Sequence, residues 1–146
     1  MPATLPMEEN MGNPRRSNGA RRDAALRWLR SLGSPCHICG LPIDYGLPPG
    51  LPRSFECDEV IPVAKGGSCY HRENLAASHR ICNGWKSDKT PDHVTAVRNA
   101  VAMRYGGWDS PEDFAAKAKA VEASGKPWGD AGARVRARTY ETTTEW

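Results

Sequence analysis

Phenylalanine is scarce in this chain: it occurs twice in 146 residues, against 14 Gly and 12 Pro. Such a composition favours loops over an extensive apolar core, and the length fits one modest domain with tails. Hydrophobic burial alone is therefore a thin source of stability, and a further agent is expected to hold the fold together. Long apolar runs are missing as well. No stretch approaches the ~20 residues that a membrane-spanning helix needs. The first ten residues have no apolar centre and carry Glu8 and Glu9. A secretory leader is thus not expected, and the reading is a soluble, cytoplasmic protein whose five cysteines serve as reduced thiols or metal ligands rather than disulfides.

Excess charge is also small. A net +3 does not by itself argue for nucleic-acid binding, but its distribution says more. Arg15, Arg16, Arg21, Arg22, Arg27 and Arg30 crowd one short segment, and Arg134, Arg136 and Arg138 form a second cluster. Basic segments attract phosphates and release counterions on binding, although a solvated charged face reads the same way.

Along the chain, residues 1–17 mix Pro, Gly, Asn and charge without periodicity, as a disordered basic arm does. A basic helix is expected over 18–33, with Asn18 as its cap, Leu26, Leu29 and Leu32 near one face and Gly33 at its end. Residues 34–90 form the dense region. It runs from Cys36-His37-Ile38-Cys39-Gly40 through a proline-rich loop to a strand at 55–61, a Gly66-Gly67 turn and a helix at 74–85. Thr90-Pro91 and Ser110-Pro111 each place a cap residue before a proline, so two helices are expected within 91–125. Residues 126–146 read as a flexible tail. With a second short strand between turn and helix, the dense region is ββα, and the fold class is α+β.

Cys36 and Cys39 are separated by two residues ahead of a glycine, and His79 and Cys82 repeat that spacing. Together they can complete the closed tetrahedral shell that structural Zn²⁺ prefers. A redox pair is the rival reading of Cys36 and Cys39, but no βαβ pattern surrounds them. Zinc would supply folding energy that the thin core lacks. Cys57 and Cys69 fall outside this set and read as small buried side chains.

The segment Phe55-Glu56-Cys57-Asp58-Glu59-Val60-Ile61-Pro62, followed by Gly66-Gly67, Asn74-Leu75 and His79-Arg80-Ile81-Cys82-Asn83-Gly84-Trp85-Lys86, resembles the motif of the HNH endonucleases. The resemblance covers roughly residues 34–89, and in detail it looks like the small HNH proteins of bacteriophages. It implies a zinc-stabilised ββα-metal domain with flanking helices, and metal-dependent hydrolysis of DNA phosphodiesters. A role in genome packaging beside a phage terminase follows by analogy. Carried over residue by residue, Asp58 would bind a catalytic Mg²⁺ or Mn²⁺, Asn83 would be its second ligand, and Asn74 would brace the loop over the site. Glu59 stands where the family usually has the histidine that activates water.

Glutamate is a weaker base than histidine at neutral pH, so Glu59 is read as base, as water-orienting group or as a further metal ligand. Strand alternation would point Asp58 and Glu59 to opposite faces unless the strand twists or ends there. Arg80, Lys86 and Lys89, with Arg21 and Arg22 of the basic helix, are expected to contact DNA phosphates. Trp85 reads as packing or as a platform for a base. His37, His71 and His93 have no partner legible in the sequence. The competing reading of the whole is a zinc-stabilised DNA-binding or assembly module without catalysis, with Glu59 as the change that disabled it. Oligomeric state is not legible.

Overall fold

A computed structural model of the chain describes residues 17–125. The basic arm expected before Ser17 and the tail at 126–146, with Arg15, Arg16, Arg134, Arg136 and Arg138, lie outside the described residues. Within them the fold is α+β. Helix α1 is Gly19–Ser31, strand β1 Phe55–Glu59 and strand β2 Leu75–His79. Helix α2 is Arg80–Lys86, α3 Pro91–Tyr105 and α4 Pro111–Ala123, and two short 3₁₀ turns lie between the strands.

The strands pair antiparallel, with Phe55 opposite His79, Cys57 opposite Ala77 and Glu59 opposite Leu75. This corrects the helix expected over 74–85, because its first half is β2 and only its second half is α2. All five residues of Leu75–His79 are buried. A strand covered on both faces shows none of the alternation that marks a strand in sequence, so a short Leu-Ala-Ala run reads equally as helix. The strand at 55–61 stops at Glu59, just short of the ladder-breaking Pro62.

Two small cores flank the hairpin. On one face, Phe55, Cys57, Leu75 and Ala77 pack with Ala25 and Leu29 of α1. On the other side, Cys36, Ile38, Cys39 and Cys82 pack with Trp85, Val97, Val101, Phe114, Ala118 and Val121. Both late helices start as their sequences dictate. The Thr90 hydroxyl accepts from His93 N at 3.3 Å, the Ser110 hydroxyl accepts from Asp113 N at 2.9 Å, and each cap precedes a proline. By contrast, Asn18 makes no side-chain cap bond to α1.

Helices α2, α3 and α4 are tied together by polar groups as well. Trp85 Nε1 donates to Glu122 Oε1 at 2.8 Å, and His93 Nε2 lies 2.7 Å from Glu122 Oε2. Trp85 is therefore packing: it is buried and meets Phe114 edge-on at 5.5 Å.

The loop between the strands is closed by one side chain. Asn74 accepts from Ile61 N at 2.9 Å and donates to Ile61 O at 3.0 Å and Ser68 O at 2.8 Å. Gly67 passes so near that an added Cβ would overlap the Ile61 carbonyl. Gly67→Ala is expected to lower stability by about 2–3 kcal/mol, because the obstacle is backbone and cannot swing aside. The urea midpoint measures it, and Gly66→Asn, in open space at φ 94, serves as a milder control in the same loop.

Candidate metal centre and adjoining cleft

Four ligand atoms converge where the Cys36–Cys39 turn meets the end of β2 and the start of α2. Those of Cys36, Cys39, His79 and Cys82 all lie within 4.8 Å of one another, and all four residues are buried. The surroundings prepare each for a cation. Cys36 Sγ accepts backbone N–H groups from Cys39 and His79, each at 3.5 Å. His79 Nε2 donates to Pro42 O at 2.9 Å, which leaves Nδ1 facing the sulfurs of Cys39 at 3.4 Å and Cys82 at 3.9 Å.

The ionisation pattern follows from this crowding. Hydrogen bonds from Cys39 and Cys82 hold the Cys36 thiol far below the usual thiol range, against the opposing effect of burial. The same contacts with Cys36 and Cys39 push the Cys82 thiol up. Burial disfavours charge on His79, but the Cys36 and Cys39 sulfurs outweigh it and raise His79 to about 10. The competition of four buried groups for protons is relieved when they give those protons up to bind a dication. Three sulfurs and one imidazole match the donor set of structural zinc, so these residues could hold a zinc ion with no coordination position left open.

Beside this centre, α2 lies against β1, and two polar rungs cross between them. Asn83 Nδ2 donates to Glu56 Oε1 at 3.0 Å. Three residues on, Lys86 Nζ donates to Asp58 Oδ1 at 3.0 Å and to the Glu59 carbonyl at 2.9 Å. Residues two apart on a strand and three apart on a helix each share a face, which is why the rungs run parallel. Asp58 Oδ2 lies 2.7 Å from His37 Nε2. The two expected ion ligands thus occupy neighbouring rungs, Asn83 with Glu56 and Asp58 with Lys86 and His37. Glu56 carried no role in the sequence motif.

Glu59 points the other way, towards α1, as alternation requires. Its Oε2 takes Arg22 Nη1 at 2.8 Å, and the same nitrogen donates to Cys69 O at 2.8 Å. The outer edge of β1 nonetheless brings both faces to one opening. A cleft of about 390 Å³ is lined by Glu56, Cys57, Glu59, Asn83, Arg22 and Leu26. Asp58, 3% exposed, lies behind it.

The basic residues expected on DNA divide into two groups. Lys86 is 1% exposed with its ammonium committed to Asp58 and Glu59, which corrects its assignment as a phosphate contact. Arg22, half-buried on Glu59, is likewise part of the cleft wall rather than an open surface cation. Lys89 donates to Trp85 O at 2.7 Å and lies over the Trp85 ring. Arg80 is more than half exposed, 3.7 Å from Glu56, and Arg21 is exposed, stacked on Tyr70. Of the histidines without a legible partner, His37 meets Asp58, His93 meets Glu122, and exposed His71 lies 3.6 Å from Glu73. Only tertiary proximity links the first two pairs, whereas His71 and Glu73 are near neighbours in the chain. No helix among the described residues is long and apolar enough to cross a membrane. Comparison with protein-family models, curated proteins and solved structures finds no match.

Proposed function

We propose that the protein is a metal-dependent DNA endonuclease built on a zinc-stapled ββα-metal unit. One observation carries this reading: strand, strand and helix lean on a closed Cys₃His tetrad and present Glu56, Glu59 and Asn83 to a single open cleft. Oxygen donors of this kind suit a hard dication. Mg²⁺ or Mn²⁺ bound there would neutralise charge on the scissile phosphate and lower the pKa of a water.

In this reading Asn83 and Glu56 are the ion's protein ligands, since a cation reaching Asp58 would have to displace Lys86. Asp58 supports the site from behind. Glu59 orients or deprotonates the attacking water, and Arg22, which holds it, is placed to share its N–H groups with a phosphate. Arg21 and Arg80 add backbone contacts from the rim. Asn74 keeps the loop beside the cleft closed. A partnership with a phage terminase is carried by the HNH resemblance alone.

The test is cleavage of supercoiled plasmid with Mg²⁺, Mn²⁺ or EDTA. Metal-dependent nicking is expected, reduced about 10²-fold or more in Asn83→Ala, Glu56→Gln and Glu59→Gln, the scale of losing a positioned proton acceptor or an ion ligand. Asp58→Asn separates the two ligand assignments, since loss there with Glu56→Gln still active makes Asp58 the ligand. The second reading, a DNA-binding module without catalysis, is favoured by the Arg22–Glu59 ion pair at the position of the family's base. A wild type inert with every metal, together with a Glu59→His variant that cuts, would establish it.

A further inference from the structure

We propose that His37 is a positioning residue that couples the zinc centre to the catalytic cleft through Asp58. His37 sits inside the Cys36–Cys39 turn, one residue from a ligand, yet its ring takes no part in the tetrad. Its backbone is fixed twice: by the ligands around it and by its N–H, which donates to Ala77 O on β2 at 2.9 Å. From that fixed point the ring reaches across β2, and Nε2 meets Asp58 Oδ2 at 2.7 Å.

The contact continues into the cleft. Asp58 Oδ1 takes Lys86 Nζ, and Lys86 also donates to the Glu59 carbonyl. A continuous polar path therefore runs from the metal-binding turn to both sides of the cleft: to the end of β1 that carries Glu59, and to the turn of α2 that carries Asn83. Its middle members are buried, with side-chain exposures of 4% for Asp58 and 1% for Lys86, so water is a poor substitute for either. Hydrogen-bond partners behind metal-site and catalytic ligands set their orientation, and their loss typically costs about 10–100-fold in affinity or activity. Ordering of the 36–39 turn by zinc is in this way transmitted to the separation of β1 and α2.

The kinetic half of the test rests on the nuclease reading, and the exchange half does not. Wild type, His37→Ala and His37→Gln are compared for zinc content, plasmid cleavage and amide hydrogen exchange in β1. Glutamine places an N–H donor near the position of Nε2. The expected result is full zinc content in all three, a roughly tenfold fall in kcat at unchanged KM in His37→Ala, and recovery of most of that loss in His37→Gln. Wild-type kcat in zinc-loaded His37→Ala overturns the proposal, as does a loss that His37→Gln leaves unrepaired. If the wild type does not cut DNA, the nuclease reading fails and exchange decides. Faster exchange at Asp58 and Glu59 in zinc-loaded His37→Ala, restored by His37→Gln, upholds the coupling, and unchanged exchange overturns it.

Discussion

Stripping the metal is expected to unfold the protein rather than loosen it. A strong chelator at neutral pH should abolish the cooperative thermal transition, and stoichiometric Zn²⁺ should restore it. Structural zinc contributes roughly 10–16 kcal/mol of apparent binding free energy, while the whole stability of a small domain is about 5–15 kcal/mol. The location of the tetrad makes the loss global. Cys36, Cys39 and Cys82 are themselves members of the larger core, together with Trp85, Val97 and Phe114. Without a cation, three sulfurs and an imidazole would be left crowded together in that core. Cys82→Ser should behave like chelated wild type. A chelated protein that keeps its transition would make the tetrad incidental to the fold.

The second large effect is expected at Lys86. Lys86→Met keeps most of the length of the side chain but removes its charge, leaving the Asp58 carboxylate buried with His37 alone. Removing one partner of a buried pair costs about 3–5 kcal/mol, because the remaining charge is stranded away from water. The urea midpoint should therefore fall far enough to unfold much of the population of a marginally stable chain. In the double variant Lys86→Met, Asp58→Leu no charge is stranded, so stability should recover much of the loss. If Lys86→Met is as stable as wild type, the ammonium is solvated and Lys86 returns to the set of DNA-contacting cations. Circular dichroism under urea distinguishes the outcomes.

The sequence made some features legible because they depend on neighbours in the chain. Thr90-Pro91 and Ser110-Pro111 start helices through local hydrogen bonds and a preset backbone angle. The two ligand pairs stand out because a metal imposes spacing on sequence. What stayed hidden was tertiary. Leu75–His79 is a strand because β1 lies on one side, His37 N–H on the other and α1 beneath, none of which its composition records. Lysine is almost never buried without a partner, and nothing near Lys86 in the chain marks Asp58 as that partner. His37 and Asp58 are 21 positions apart, and nothing in the intervening proline-rich segment announces their contact.

The split of the tetrad also governs when the molecule can come into being. Cys39 and His79 are 40 positions apart, and β1, with Glu56, Asp58 and Glu59, lies in the interval. A chain emerging from the ribosome carries these carboxylates well before it carries His79, Cys82, Asn83 and Lys86. Until then Cys36 and Cys39 lack the other half of the tetrad, and closing so long an interval costs loop entropy that zinc binding there would help to offset. The cleft, walled by residues from Arg22 to Asn83, can therefore take shape only once the chain has been made as far as α2.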